Sequence, residues 1–328
     1  MQPDFVSPPA GAEFVPPPAG AEALQDLCAR AAGVGLHLDP TTARIDESGL
    51  DFVALHAADA AGTPWIVRAP RRPSVVAACA TEAAALRLVA PHLPVAVPRW
   101  QHLTPALVAY PRLPGEPVCT YDAEAGMVWR LPDPADPPAV FLDDLADFLS
   151  ALRAVPVAAC RAAGLPVHDL AAVRADLRRG WDRVVPRFEV PAPVAERWRH
   201  FIEDAPWPVI PALIHGDLHP GHLLVDAEHR LTGVLDWTEA QVGDPTLDLV
   251  LMVLCHGPAA LAALLTRLAH RGWPEAPTLH AHVLARSALV PLSMLVWALD
   301  HDSEVPVAPA LAMIAEQASG IAEQATQA

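Results

Sequence analysis

At 328 residues, 52% of them hydrophobic, the chain is long enough for one large domain or for two lobes sharing a cleft. Its 38 acidic residues against 22 basic ones give a net charge of −16, which repels nucleic acid and suits a cationic partner, although solubility alone would account for the balance. All 22 basic residues are arginine; with no lysine there is no Walker A motif, which excludes a P-loop NTPase.

The stretch 1–22 is rich in Pro, Gly and Ala and carries PPAGAE twice, so it reads as a flexible leader. No basic residue precedes an apolar run there, so no secretory signal is expected. Leu24, Leu27 and Cys28 predict a helix over 23–32, and strand-like runs follow at 41–47, 52–57 and 64–69. Ser48-Gly49-Leu50-Asp51 and 59–63 join these as hairpins. A helix over 74–89 is closed by Pro91, a strand is expected at 107–111, and Leu113-Pro114-Gly115-Glu116 breaks the pattern. Helical spacing then dominates, over 141–154, 167–184, 194–204, 259–270 and 280–299, with one β-like exception at 210–237. Strands before a hinge and helices after it predict an α+β fold of two lobes: an N-terminal lobe with hinge over 23–113 and a helical C-terminal lobe over 114–328. The apolar stretches 249–255 and 288–299 fall short of a membrane span, and the second contains Pro291, so no membrane partner is expected. Cys28, Cys79, Cys119, Cys160 and Cys255 lie far apart without C-x-x-C spacing, which argues against a zinc knuckle and fits reduced thiols in a cytoplasm.

The chemistry is concentrated in His215-Gly216-Asp217-Leu218-His219-Pro220-Gly221-His222, followed by Leu231-Thr232-Gly233-Val234-Leu235-Asp236-Trp237. One carboxylate sits on a loop and a second ends an apolar strand, where an unpaired charge would be costly. Phosphoryl transfer needs such a pair, one to take the hydroxyl proton and one to coordinate the cation on the nucleotide phosphates.

These residues resemble the aminoglycoside phosphotransferase/protein-kinase-like family. Its H-G-D-x-x-x-x-N loop is matched by His215-Gly216-Asp217, four residues, then His222. Its D-F-G is matched by Asp236-Trp237-Thr238, and its G-D-P-x-x-D by Gly243-Asp244-Pro245-Thr246-Leu247-Asp248. Trp65-Ile66-Val67-Arg68 mirrors V-A-I-K with arginine in the lysine role, and Glu82 on the following helix is its ion-pair candidate. GLDF at 49–52, IVRAPRR at 66–72, LPVAVPRW at 93–100, LVAYP at 107–111 and DWTEA at 236–240 are similar to the macrolide 2′-phosphotransferases, a group that also carries His in place of Asn at 222. LPGE at 113–116 is closer to the general aminoglycoside-kinase pattern.

The resemblance, covering roughly residues 24–300, implies a bilobal protein-kinase-like fold. It also implies a Mg²⁺-dependent enzyme moving the γ-phosphoryl group of GTP, or ATP, to the 2′-hydroxyl of a macrolide desosamine sugar. On this resemblance Asp217 would be the catalytic base with His215 supporting it, and Asp236 and His222 the metal ligands, with His222 alternatively a phosphate contact because Mg²⁺ prefers oxygen. Gly49, Arg68, Glu82, Tyr110 and Leu113 contact the nucleotide side, with 110–113 as the hinge whose amides meet the base. Arg71 or Arg72 could replace Arg68. Asp248 braces the catalytic loop, and Asp244 and Asp226 do similar work or form turns. The apolar runs 249–255 and 287–297 suit a large apolar acceptor with one dimethylammonium, whereas an aminoglycoside would call for a pocket dense in carboxylates. The competing readings are a kinase of another hydroxyl compound, such as an aminoglycoside, homoserine or a choline-like metabolite; a nucleotide-binding pseudokinase; and a metallohydrolase built on His215, Asp217, His219 and His222.

Overall fold

The computed structural model describes residues 14–47, 49, 51–122 and 124–327. The first thirteen residues of the expected leader, and Ser48 and Leu50 of the first hairpin, lie outside the described residues. The chain divides into two compact units: the residues up to Arg130 with Ala158–Leu165 and Pro220–Ala240, and Leu131–Val157 with Pro166–His219 and Gln241 onward.

In the first unit, helix α1 (Ala21–Gly33) leads into strands β1 (Arg44–Asp46), β2 (Phe52–Ala58) and β3 (Pro64–Pro70). Helix α2 (Pro73–Val89) and strands β4 (His102–Thr104) and β5 (Leu107–Pro111) follow, and the five strands form an antiparallel sheet in the order β1-β2-β3-β5-β4. Strand β3 is central. Trp65 to Pro70 are all buried, so it is a continuous apolar run interrupted by Arg68, and its register sets Arg68 opposite Ala54 on one side and Val108 on the other. Ala23, Leu27 and Ala31 of α1 close one face over Val53, Leu55, Trp65, Val67 and Leu107. Each such large side chain contributes about 1.5–3 kcal/mol by leaving water. Helix α2 starts with Pro73 at its first position, where no N–H is needed, and buries Val75, Val76, Cys79, Glu82, Ala83 and Leu86. The one charged residue in that set, Glu82, calls for a partner.

Beyond β5 the unit adds β6 (Glu116–Pro117), which pairs with the strand Leu223–Val225; that strand pairs in turn with Leu231–Val234. A separate ribbon of β7 (Cys119–Asp122) and β8 (Gly126–Trp129) was not anticipated from the sequence. Gly115 makes the turn into β6 at φ 94°, and a Cβ there would meet the Thr232 hydroxyl oxygen and the Val225 carbonyl.

The second unit is mostly helical, with a two-stranded sheet of Ala212–Ile214 and Gln241–Gly243. Its helices are Ala139–Arg153, Leu170–Val184, Ala192–Glu203, Val250–Ala269, Ala276–Ser287, Val290–His301 and Val307–Gln327. The Leu170 helix is capped by Asp169, which accepts from Ala172 N–H at 2.7 Å. Val194, Trp198, Phe201 and Ile202 pack with Leu289, Leu292, Leu295, Ala310 and Ile314.

Two helical stretches, Leu247–Ala269 and Pro277–His301, are long and apolar enough to match a membrane span, which the shorter apolar runs in the sequence had not suggested. Neither is one continuous helix. Gly257, at φ 83° and ψ 172°, breaks the first just before Pro258. The single helix expected at 280–299 is two helices, separated at Ala288 and Leu289, with a proline in the first turn of the second.

Candidate active site

Within the first unit, β3 delivers Arg68 and α2 delivers Glu82. The guanidinium lies 3.1 Å from Glu82 Oε1 and 3.7 Å from Asp236 Oδ2, and its carbon sits 3.9 Å over the Phe52 ring. Burial opposes the charge on Arg68, but the two carboxylates outweigh it and drive its pKa further up. Burial pushes the Glu82 carboxyl up, and Arg68 and the Trp237 N–H pull it back. Arg68 therefore keeps its charge, closed off from solvent at 8% exposure. The neighbouring arginines are engaged elsewhere: Arg71 donates to the carbonyls of Glu47 and Gly49, and Arg72 pairs with Asp51 at 2.5 Å. Both tie down the first hairpin, leaving Arg68 as the cation beside Asp236.

Asp236 itself sits at φ 56°, a left-handed backbone that a residue other than glycine adopts only when its surroundings hold it there. The hold is visible. Trp237 is fully buried and donates Nε1–H to the Val234 carbonyl at 3.2 Å, and the Thr238 hydroxyl donates to Asp236 Oδ1 at 2.6 Å while lying 3.4 Å from Glu82 Oε2. The Asp236 side chain is still over a third exposed, and its Oδ2 faces Arg68 and His222 Nε2, the latter at 4.0 Å. His222 is fixed through its carbonyl, which accepts from Leu235 N–H at 2.8 Å.

Within the second unit, the loop after the strand Ala212–Ile214 is pinned by Asp248. Its Oδ2 accepts from His215 N–H at 2.8 Å and its Oδ1 from Gly216 N–H at 2.9 Å. Burial pushes the Asp248 carboxyl up to about 7 against those two donors. Gly216 turns at φ 89° and leaves Asp217 exposed, with its N–H 3.3 Å from Nδ1 of the buried His215 ring. An imidazole so enclosed holds the loop rather than a metal, which removes one ligand from the metallohydrolase reading.

Other sequence candidates fall as follows. Gly49 lends its carbonyl to Arg71 in the first hairpin. Tyr110 is buried on β5, and its hydroxyl, close enough to Arg68 to share a hydrogen bond, is pushed up to about 12 by burial. In the 110–113 segment Pro111 has no N–H and the Arg112 N–H is taken by the Pro64 carbonyl at 2.8 Å, so the amides expected to meet the base reduce to that of Leu113. Asp226 accepts from Glu228 and Arg230 N–H and closes the turn of its own hairpin. Asp244 is buried and holds Thr246 through both N–H and hydroxyl. Three residues were not candidates in the sequence: Thr238, for which the D-x-T pattern was the available signal, and His282 and Arg286, which face Asp244 from far downstream with no local signal at all.

An arginine–glutamate pair behind a strained aspartate, and a second aspartate on a carboxylate-pinned H-G-D loop, on an N-terminal antiparallel sheet and a larger helical part, define a kinase-like phosphotransferase. The chain belongs to the phosphotransferase enzyme family, which matches residues 42–279. Among solved structures it is similar to the apoenzyme of macrolide 2′-phosphotransferase MphH from Brachybacterium faecium. The identity is 37% and the TM-score 0.80, over 89% of this chain and 98% of that one. It is also similar to macrolide 2′-phosphotransferase type I, with 32% identity and a TM-score of 0.81 over 90% of this chain and 98% of that one. A third relative, YcbJ of Bacillus subtilis (strain 168), is 35% identical over 288 residues, 86% of this chain and 92% of its own. The resemblance read from the motifs and the kinase-like α+β fold it implied both agree with these findings.

Proposed function

We propose that the protein inactivates macrolide antibiotics by transferring the γ-phosphoryl group of GTP, or ATP, to the 2′-hydroxyl of the desosamine sugar. The observation that carries this reading is the likeness, at 37% and 32% identity across nearly the whole of each chain, to two macrolide 2′-phosphotransferases. The exposed Asp217 carboxylate accepts the acceptor hydroxyl's proton as its oxygen attacks phosphorus, and the nucleoside diphosphate leaves. Arg68, charged at any physiological pH, holds the donor's phosphates, and Glu82 keeps its fork in place. The Leu113 amide meets the base, and Asp248 holds the backbone from which Asp217 projects.

Asp236 and His222 would hold the divalent cation. The donor set fits: a half-exposed carboxylate, with one oxygen steadied by Thr238, faces an imidazole nitrogen. When bound, the ion neutralises charge on the β- and γ-phosphates. A negative surface and apolar helices suit an acceptor that is a large ring with a single ammonium. Reduced thiols and the need for nucleoside triphosphate fit a cytoplasmic site of action.

The test is phosphate transfer from labelled GTP and ATP to erythromycin with Mg²⁺, for the wild type and Asp217→Ala. Transfer by the first and a loss of at least about a hundredfold in the second is expected. Turnover of kanamycin without any macrolide turnover would overturn the acceptor.

A further inference from the structure

The mechanism leaves one buried group of charges unused. In the second unit, Asp244 Oδ2 faces His282 Nε2 at 3.5 Å and Arg286 Nε at 3.6 Å, and all three side chains are more than nine-tenths buried. His282 and Arg286 stand one helical turn apart on the helix Ala276–Ser287, so they present one face to Asp244. The three facing atoms meet at ion-pair distance rather than in close hydrogen bonds. A buried polar atom left in that state is expensive, and a buried ion pair is often replaceable by apolar side chains at no loss of stability. The arrangement therefore calls for a reason other than stability.

What lies beyond Asp244 supplies one. Its other oxygen, Oδ1, accepts from the Thr246 N–H at 3.0 Å and hydroxyl at 2.7 Å, and its carbonyl accepts from Leu247 N–H at 3.1 Å. Thr246 opens the short turn Leu247–Leu249, and that turn carries Asp248. Asp248 spends both oxygens on the N–H groups of His215 and Gly216, the two residues before Asp217. From helix to loop the route runs by contact from Arg286 and His282 to Asp244 and on to Thr246, along the backbone of the turn from Thr246 to Asp248, and by hydrogen bonds from Asp248 to the Asp217 loop. His282 packs against the rings of Phe201 and Trp207, at 5.1 and 5.3 Å, which themselves stack 5.1 Å apart, so the far end is anchored in the core.

We propose that His282 and Arg286 are positioning residues for phosphoryl transfer, setting through Asp244 the turn whose Asp248 holds the Asp217 loop. The assignment rests on Asp217 being the catalytic base. It concerns orientation only, since neither residue touches the reacting atoms in this arrangement.

The experiment compares Arg286→Gln, His282→Phe and the paired apolar replacement Arg286→Met with Asp244→Leu. Two readouts are taken: steady-state kinetics, and amide hydrogen exchange of His215 and Gly216. In Arg286→Gln, kcat should fall by about tenfold or more with KM for nucleotide within about twofold, and the two amides should exchange at least about tenfold faster. The paired replacement, which also takes the acceptor from the buried Thr246 N–H and hydroxyl, should fold with reduced stability and still show fast exchange at both amides. Arg286→Lys should recover part of the loss. Wild-type exchange at His215 and Gly216 in the paired replacement, or an unchanged kcat in folded Arg286→Gln, would overturn the proposal. If the wild type transfers no phosphate to any acceptor, the reading of Asp217 falls instead, while the exchange data still decide whether the contacts reach the loop.

Discussion

Arg68 and Glu82 form an ion pair 3.1 Å long in which the glutamate is wholly closed to solvent and the arginine nearly so. Removing one member strands the other. Glu82→Gln should lower stability by about 3 kcal/mol, because the guanidinium loses its nearer carboxylate and keeps only Asp236 at 3.7 Å. Thermal unfolding and the KM for nucleotide should worsen together. The double replacement Arg68→Met with Glu82→Leu should recover the stability and none of the activity, separating the pair's structural part from its part in catalysis. A Glu82→Gln protein as stable as the wild type would refute the argument.

His222 offers nitrogen where the wider family pattern has an amide oxygen. Imidazole suits first-row transition ions better than Mg²⁺. His222→Asn should therefore remain active and shift the ratio of Mg²⁺- to Mn²⁺-supported turnover toward Mg²⁺ by about threefold or more. An unchanged ratio, with binding of both ions unaltered by calorimetry, would take His222 out of the metal site.

Asp248 carries a pH signature. Its carboxyl, ordinarily near 3.8, is pushed up to about 7 by burial, so between those values the folded state binds a proton that the unfolded chain does not. By linkage, its contribution to stability is full at low pH and declines as pH rises toward 7. Urea unfolding of wild type and Asp248→Asn at several values from about pH 5 to 7.5 should show the wild type losing ground to the variant as pH rises. A constant difference would mean that the two loop N–H groups hold this carboxyl in its ordinary range.

Gly115 sits at φ 94° with the Thr232 hydroxyl oxygen and the Val225 carbonyl, the latter at 2.9 Å, in the space a methyl group would take. Gly115→Ala should destabilise the protein by about 2 kcal/mol or more from backbone strain and overlap together. Gly62→Ala also imposes a positive φ but meets open space, and should be milder by differential scanning calorimetry.

How much of this could be read from the sequence depended on how local the cause was. The run 107–111 is strand β5 to the residue, and 74–89 differs from α2 by one, because period, Pro73 and the closing turn all lie within the segment. The H-G-D and D-W-T carboxylates stood out because each motif is contiguous in the chain, even though the groups that hold them, Asp248 and Arg68, are distant in sequence. The Arg68–Glu82 pair was legible because the two lie on adjacent elements. Asp226, read either as bracing the loop or as forming a turn, does the second, its carboxylate closing the turn it begins. His282 and Arg286 could not be found, since what distinguishes them is the Asp244 they face across the core. The ribbon β7–β8 escaped because Thr120, Tyr121 and Asp122 are all exposed, leaving no alternation to read. Gly257 escaped because a single glycine in an apolar run does not announce the φ it will take.

The guanidinium at position 68 also decides which reagents can detect such an enzyme. Probes that capture kinases by acylating the amine beside the nucleotide phosphates need a nucleophile that sheds its proton near neutrality. Arg68, driven further into its charged form by two carboxylates, offers none, and the sequence contains no lysine to react in its place. A proteome surveyed in that way would yield its lysine-bearing phosphotransferases and pass over this one, however abundant or active it was.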